Sequence, residues 1–375
     1  MDKKIFICAG DVSGDEHAGR LVEELKKINP SLTIFSCGGE KLKSKTNFIC
    51  DLVGLSAFGF LEPLREIFTF RNILKKIIQP LLVGNKIDLV VLVDYYGFNV
   101  HVARLAKELA IPVVYYISPQ VWASRPGRIK VLAKLVKKML VIFPFEEEVY
   151  RKSGLEAVWV GHPLMDKIPE PNFSSQNTAK ECLIGLFPGS RRGEVVSHLP
   201  IMEKTVRLII KQFPQAYFVI FAASAMAEDL INNYWAGDDL PVSIVRDHNY
   251  SFRRMLKFAI VVSGTVTLEN ACLGIPMLVI YRTNWPTYFL AKQLIKIRYI
   301  SIVNLLAGRE IVPEFIQRKA AAENLAAATV KLLKNPDELE QFRQQLLEIR
   351  KKLGAPGANR KAAEIILGCL GEGGV

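Results

Sequence analysis

A chain of 375 residues that is half apolar and 9% aromatic can fill two buried cores, which excludes global disorder and makes two domains the default. Its formal charge of +12 attracts phosphorylated substrates, anionic lipid or nucleic acid, but no block of five basic residues supplies a nucleic-acid arm. The six cysteines form no C-x-x-C pair and the five histidines show no ligand spacing with them, so neither a disulfide framework nor a metal site is expected.

The chain enters a strand at once, expected at Ile5–Ala9, with no cleavable leader pattern. No apolar run reaches the roughly 18 residues that a membrane span needs. The strand runs into Gly10-Asp11-Val12-Ser13-Gly14-Asp15, a glycine-bracketed turn opening a helix over Glu16–Ile28. Asp11 and Asp15 would repel a pyrophosphate, so Ser13, Gly14 and Asp15 suit sugar hydroxyls. A plain helix cap at Ser13 or Asp15 explains the same residues. The turn is not the G-x-G-x-x-G fingerprint, which disfavours a nicotinamide cofactor; no cofactor is called for.

After a strand at Leu32–Ser36 comes a stretch rich in large apolar residues and bases, running from Phe58 to Lys76. Phe58, Phe60, Leu64, Phe68 and Phe70, with their apolar neighbours, exceed the single stripe a core-facing helix requires. A basic surface with spare aromatics suits docking on a membrane face, and a plain core role competes evenly with it. Asp94 then closes the strongly apolar strand Leu89–Val93. At the carboxyl end of a parallel strand it can serve as a general base, or it can cap the helix expected at Phe98–Leu109. The strand Val113–Ile117 ends in Ser118-Pro119-Gln120-Val121-Trp122, where an indole can stack on a sugar or pack beneath a loop. A helix at Arg128–Lys138 and strands at Met139–Ile142 and Ala157–Val160 complete the first half. Breakers from Gly161-His162-Pro163 through Pro171, then polar residues to Thr178, mark a linker.

The second half repeats the alternation, with strands expected at Leu183–Phe187, Ala216–Ala222, Val242–Val245, Ala259–Val262 and Met277–Tyr281. Pro188-Gly189-Ser190-Arg191-Arg192-Gly193-Glu194 follows the first of these. There Ser190 and Arg191 can hold an oxyanion by charge-assisted hydrogen bonds. Ser263-Gly264-Thr265-Val266-Thr267-Leu268-Glu269 follows the fourth as strand, tight turn and helix N-terminus, which aims backbone N–H groups at one point and suits a phosphate. Gly264 allows close approach, Ser263, Thr265 and Thr267 add hydroxyls, and Glu269 can accept from ribose hydroxyls. Helices at Lys319–Lys334, Pro336–Lys352 and Asn359–Leu370 close the chain. The expected fold class is α/β, two doubly wound Rossmann-like domains (1–165 and 180–355) with a cleft between them. A last helix within 356–375 packs back on the first domain.

Together these residues resemble the lipid-A-disaccharide synthase family over essentially the whole chain. The matching pieces are Ala9–Asp15, Phe58–Glu62, Asp94 with Phe98-Asn99, Ser118–Ala123, Val160–Pro163, Pro188–Arg191 and Ser263–Glu269. The most specific is the run from Tyr281-Arg282 through Leu290-Ala291-Lys292 to Asn304–Glu310. The resemblance implies a GT-B type inverting glycosyltransferase that joins a UDP-2,3-diacylglucosamine donor to a diacylglucosamine 1-phosphate acceptor through a β-1,6 bond, releasing UDP. It implies work at the cytoplasmic, anionic face of the inner membrane; a homodimer is allowed, and with no helix-turn-helix or finger pattern no nucleic-acid partner is expected.

It also implies a functional role for Arg191, a sugar-nucleotide loop holding Asn304, Gly308, Arg309 and Glu310, and substrate contacts at Asn99, Ser118, Gln120, Trp122, Ser190 and Glu194. Three positions depart from the family's pattern. Asp11 stands where Glu is usual, Ser124 replaces a second tryptophan, and Gly97 stands where some members carry a second Asp proposed as the base. Asp94 is therefore the first candidate base and Asp11 the second. The rivals are a glycosyltransferase or epimerase acting on a soluble UDP-sugar, and a non-catalytic binder of acylated sugar phosphate.

Overall fold

Runs of Val, Ile and Leu bounded by turn residues form parallel strands when helices cover both faces of the sheet. In the computed structural model, which describes residues 3–57, 70–171, 182–237, 239–285, 288–289 and 298–371, such runs build two sheets in two compact units. One unit comprises Met1–Asp166 with Leu353–Val375, and the other Lys167–Lys352.

The first unit contains β1 (Lys4–Ala9), β2 (Thr33–Gly38), β3 (Asn47–Asp51), β4 (Leu89–Val93), β5 (Val113–Tyr116), β6 (Lys138–Val141) and β7 (Ala157–Trp159). Their spatial order is β3-β2-β1-β4-β5-β6-β7, all in parallel. Every residue of β4 is buried, as a central strand under two helical layers requires. The order reverses between β1 and β4, the point where doubly wound sheets open a crevice. Ala9 pairs with Val93 there, so Gly10 and Asp94 leave the sheet side by side.

The second unit contains β8 (Cys182–Phe187), β9 (Ala216–Phe221), β10 (Val242–Val245), β11 (Phe258–Val262), β12 (Met277–Tyr281) and β13 (Glu314–Ile316), ordered β10-β9-β8-β11-β12-β13. Here the reversal lies between β8 and β11, with Phe187 opposite Val261. The Ser190 turn and the Ser263 turn leave the sheet from these two strands.

Two strands differ from the sequence expectation by being there at all. β3 and β13 are edge strands, half-buried to exposed, and without a second neighbour they carry little apolar signal. The first helix, Val12–Ile28, also starts earlier than expected. Its N-cap is Asp11, whose carboxylate accepts from the Gly14 N–H at 2.6 Å, rather than Ser13 or Asp15.

The segment Lys167–Pro171 is tied to the second unit. Arg350 donates to the Pro169 and Cys272 carbonyls, both at 3.1 Å, and to the Glu170 carboxylate at 2.7 Å. The final helix, Ala358–Gly371, belongs to the first unit and packs on Val12–Ile28. Its Asn359 accepts from Tyr116 Oη at 2.9 Å and donates its amide to the Asp166 carboxylate at 2.6 Å.

Phe70 is half-buried with its ring 5.0 Å from that of Phe98, so this member of the membrane-docking set packs on the core of the first unit. Phe58, Phe60, Leu64 and Phe68 lie outside the described residues. Among the described residues no helix is long and apolar enough to cross a membrane.

Candidate active site

Asp94 and Tyr95 both adopt left-handed backbone, with φ of 47° and 45°. Such conformations cost non-glycine residues about 1–3 kcal/mol each and persist where surrounding contacts impose them. Here the Asp94 carbonyl accepts from Tyr115 Oη and from Asn99 Nδ2 at 2.9 Å, and the Val93 carbonyl accepts from Asn99 Nδ2 at 3.1 Å. The Tyr95 ring lies against Gly10, where a Cβ would sit 2.0 Å from it, so only glycine fits.

Burial, then the charges of Asp11 and Glu146, push the Asp94 carboxyl up to about 7, against a hydrogen bond from the Tyr95 backbone that lowers it. A carboxylate poised near neutrality is suited to take a proton. Asn99, expected to touch substrate, is fully buried and spends its amide on holding the Asp94 turn.

Three further candidates in the same unit make hydrogen bonds to the scaffold. Asp15 is buried and accepts from the N–H groups of Gly39 (2.8 Å), Lys41 (2.8 Å) and Leu42 (3.2 Å), at the start of the short helix Glu40–Lys43. Ser118 and Trp122 turn their polar atoms inward to Glu146, which accepts from Ser118 Oγ, from Trp122 Nε1 at 2.9 Å and from the Phe143 N–H at 3.0 Å. Burial raises the Glu146 carboxyl, and these donors partly restore it. The indole rests edge-on against Phe145, with ring centroids 4.9 Å apart. Gln120 and Ser13 are exposed.

The second unit brings its two turns together. A cavity of about 320 Å³ is lined by Gly189, Ser190 and Glu194 from one turn and Ser263–Val266 with Glu269 from the other, backed by Phe187, Phe221 and Arg253. Gly189 has φ +107°, and a Cβ there would lie 2.6 Å from Glu194, so the turn demands glycine. The Glu194 carboxylate caps the helix Arg192–Gln212. It accepts from the Ser190 N–H (3.1 Å), the Arg191 N–H (3.3 Å) and the Arg191 guanidinium (3.2 Å). Glu194 thus occupies the N–H donors of its own turn while lining the cavity.

Thr267 is buried and donates to the Gly264 carbonyl at 2.7 Å, while Ser263 Oγ donates to the Ile300 carbonyl at 3.1 Å. Gly264 and Thr265 are exposed at the start of the helix Thr265–Cys272, where the Thr267 N–H already donates to the Gly264 carbonyl at 3.1 Å and only the Thr265 and Val266 N–H groups precede the helical ladder. Gly264 is extended and a Cβ would meet only the Val262 carbonyl at 4.0 Å, so its value is cavity space rather than backbone freedom. Glu269 accepts from Tyr250 Oη at 3.3 Å and from Arg253 Nη1 at 2.5 Å. Sequence reasoning missed Arg253. The only available signal was a basic pair, Arg253-Arg254, shortly before an apolar strand.

Asn304 also serves the scaffold. It is buried, donates to the Val312 carbonyl and the Glu314 carboxylate (both 2.8 Å), and accepts from the N–H groups of Ile311 and Val312 (both 2.9 Å). Its hydrogen-bonding capacity is filled by the loop that leads to Gly308, Arg309 and Glu310, which are exposed. Asn304→Ala leaves those groups unpaired and is expected to lower stability by roughly 2–3 kcal/mol, read as a lower urea midpoint at unchanged slope. An unchanged midpoint would make Asn304 free to serve a ligand.

Two doubly wound sheets with turns at both reversal points define the GT-B class of fold. Solved structures of that class are similar along nearly the full chain. MurG of Acinetobacter baumannii superposes with a TM-score of 0.63 at 15% identity, covering 98% of this chain and 99% of that one. The UDP-GlcNAc 2-epimerase of Neisseria meningitidis bound to UDP-GlcNAc gives 0.62 at 14% identity, covering 98% and 100%.

The particular family follows from sequence. The family model described as lipid-A-disaccharide synthetase matches residues 5–367. The lipid-A-disaccharide synthase of Geobacter metallireducens is 37% identical over 381 residues, covering 99% of this chain and 98% of that protein, and that of Syntrophus aciditrophicus is 38% identical with 97% of each covered. The chain belongs to the lipid-A-disaccharide synthase family and is a glycosyltransferase.

Proposed function

We propose that the cavity of the second unit holds the UDP end of a UDP-2,3-diacylglucosamine donor, and that Asp94 of the first unit takes the proton from the 6-hydroxyl of diacylglucosamine 1-phosphate. The observation that carries this assignment is the meeting of the Ser190 turn, the Thr265 helix terminus and the Glu269 carboxylate around one cavity. Phosphate oxygens suit the first two and ribose hydroxyls the third. The acceptor oxygen bonds to the donor's anomeric carbon as the bond from that carbon to the diphosphate breaks, and UDP leaves with the electron pair. One displacement inverts the configuration and needs no covalent sugar–enzyme intermediate. Arg191 and the two turns meet the charge that grows on the leaving diphosphate.

Phe58, Phe60, Leu64 and Phe68, set among bases in a chain of +12 net charge, support docking on the anionic face of the inner membrane. One mixture tests both parts. Purified protein, donor and acceptor in anionic vesicles should yield UDP and disaccharide in equal amounts, with the protein sedimenting on the vesicles. Absent UDP would refute the reaction, and protein left in the supernatant would refute the docking.

A further inference from the structure

We infer that Arg253 is a positioning residue that fixes Glu269 for the ribose, and thereby makes the second unit's cavity select ribonucleoside over 2′-deoxyribonucleoside diphosphates. The inference rests on the nucleotide assignment just made for that cavity. Its starting point is the effort the fold spends on one side chain. Between β10 and β11 the buried Asp247 carboxylate accepts from the Arg253 N–H at 2.9 Å and from Ser251 Oγ at 3.4 Å, closing the loop on itself. Tyr250, in the middle of that loop, is held in left-handed backbone at φ 62°. Strain of this kind in a bulky residue survives only where packing and hydrogen bonds impose it.

The loop delivers the Arg253 guanidinium into an aromatic collar. Its carbon lies 5.3 Å from the Phe187 ring centroid, 5.7 Å from that of Phe221 and 5.1 Å from that of Tyr250. The two phenylalanine rings are stacked, 4.5 Å apart and within 4° of parallel. Nε faces Asp247 at 3.9 Å and Nη1 grips Glu269, the arginine side chain being only 15% exposed.

Glu269 is therefore oriented before any ligand arrives, with one oxygen on Arg253 and the other on Tyr250 Oη. An ionised carboxylate has about four acceptor sites. Two are filled, and the others are left for a vicinal diol at the cavity wall. A carboxylate fixed in advance loses little freedom on binding, so each ribose hydroxyl contributes its full hydrogen bond. A 2′-deoxy sugar leaves one acceptor site dry, and a site built to hydrogen-bond a hydroxyl rejects the analogue lacking it.

The test compares UDP with 2′-deoxy-UDP as competitive inhibitors of the intact enzyme. The wild type should favour UDP by roughly 10–100-fold, the usual range for one hydrogen bond to a charged group. Glu269→Gln should reduce that preference. Arg253→Ala should bring it within about threefold and weaken UDP binding, with the KM for donor rising by a larger factor than kcat falls. Arg253→Lys keeps the charge but loses the fork, and should fall between the two and keep the wild-type thermal midpoint more closely. A preference lost in Glu269→Gln but kept in both arginine variants overturns the role of Arg253 and leaves the nucleotide assignment standing. A preference untouched in Glu269→Gln, or no inhibition by either compound, overturns that assignment and the inference with it.

Discussion

Asp94→Asn is expected to lower kcat by about 10²–10⁴-fold, the usual contribution of a positioned general base, while making the folded chain more heat-stable at pH 8. The two effects share one cause. The Asp94 carboxyl ordinarily titrates near 3.8 and is pushed up to about 7 in the fold, mainly by burial. The folded chain therefore binds this proton more tightly than the unfolded chain does. Between pH about 4 and 7 the fold loses stability as pH rises, and above 7 the full cost of burying the ionised group is present. Asparagine removes that cost, which should be worth about 1 kcal/mol or more at pH 8. A variant inactivated by misfolding would move the thermal midpoint the other way.

The same carboxyl should set the pH profile. In the wild type kcat/KM should fall about tenfold per unit below pH 7, as the base becomes protonated. Asp11→Asn refines the test. Asparagine caps a helix as well as aspartate, so the Gly14 contact survives, but the negative charge that helps raise Asp94 is gone. The acid limb should then shift to lower pH with its height retained. A collapse in rate at every pH would instead make Asp11 the base. Gly97 offers a third arm, since a Cβ there meets nothing within 4 Å and the position lies in the first turn of the helix Tyr96–Glu108, where a carboxylate is welcome. Gly97→Asp should fold normally, and if Asp94 is the base it should not restore activity to Asp94→Asn.

Central strands were legible because burial on both faces writes an unbroken apolar run, as in β4 with Leu-Val-Val-Leu-Val. The turns at both sheet reversals were legible for a related reason, since glycine and small hydroxyl residues must follow strands that deliver a ligand site. The edge strands β3 and β13 were not, because half-exposed three- to five-residue segments resemble loops.

Side-chain roles were the least legible. Asp15, Asn99, Ser118, Trp122 and Asn304 are the residue types that bind sugars, and they are equally the types that satisfy buried backbone and carboxylate groups. Which of the two a given residue does depends on partners far along the chain, such as Gly39 for Asp15 and Glu146 for Ser118 and Trp122. Arg253 shows the converse. Its importance lies in three aromatic rings and two carboxylates drawn from separate elements, and no local pattern announces it.

Arg191→Ala should reduce kcat and kcat/KM together by about 10²–10³-fold with the fold intact. The expectation of an intact fold comes from exposure. The Arg191 side chain is 80% exposed, and its ion pair with Glu194 lies on its own helix turn. Pairs of that kind contribute about 0–1 kcal/mol. Glu194 keeps its hydrogen bonds from the Ser190 and Arg191 backbone N–H groups, so the turn survives the substitution.

The expected loss of rate comes from the charge of the leaving group. With the diphosphate at the Ser190 turn as proposed, negative charge grows there as the bond to the anomeric carbon lengthens, beside the exposed Arg191 guanidinium. For the diphosphate to use the N–H donors of Ser190 and Arg191, Glu194 must yield them. The guanidinium that now lies on Glu194 can then turn to the phosphate, carrying an interaction that strengthens only as the bond breaks. Lysine at this position keeps a positive charge without the planar fork, and should recover part of the rate. UDP release at saturating donor, with the KM for donor in the same experiment, separates the outcomes. A raised KM at unchanged kcat would mean that Arg191 binds substrate and transition state alike, and the leaving group would then have to be stabilised by the two turns without its side chain.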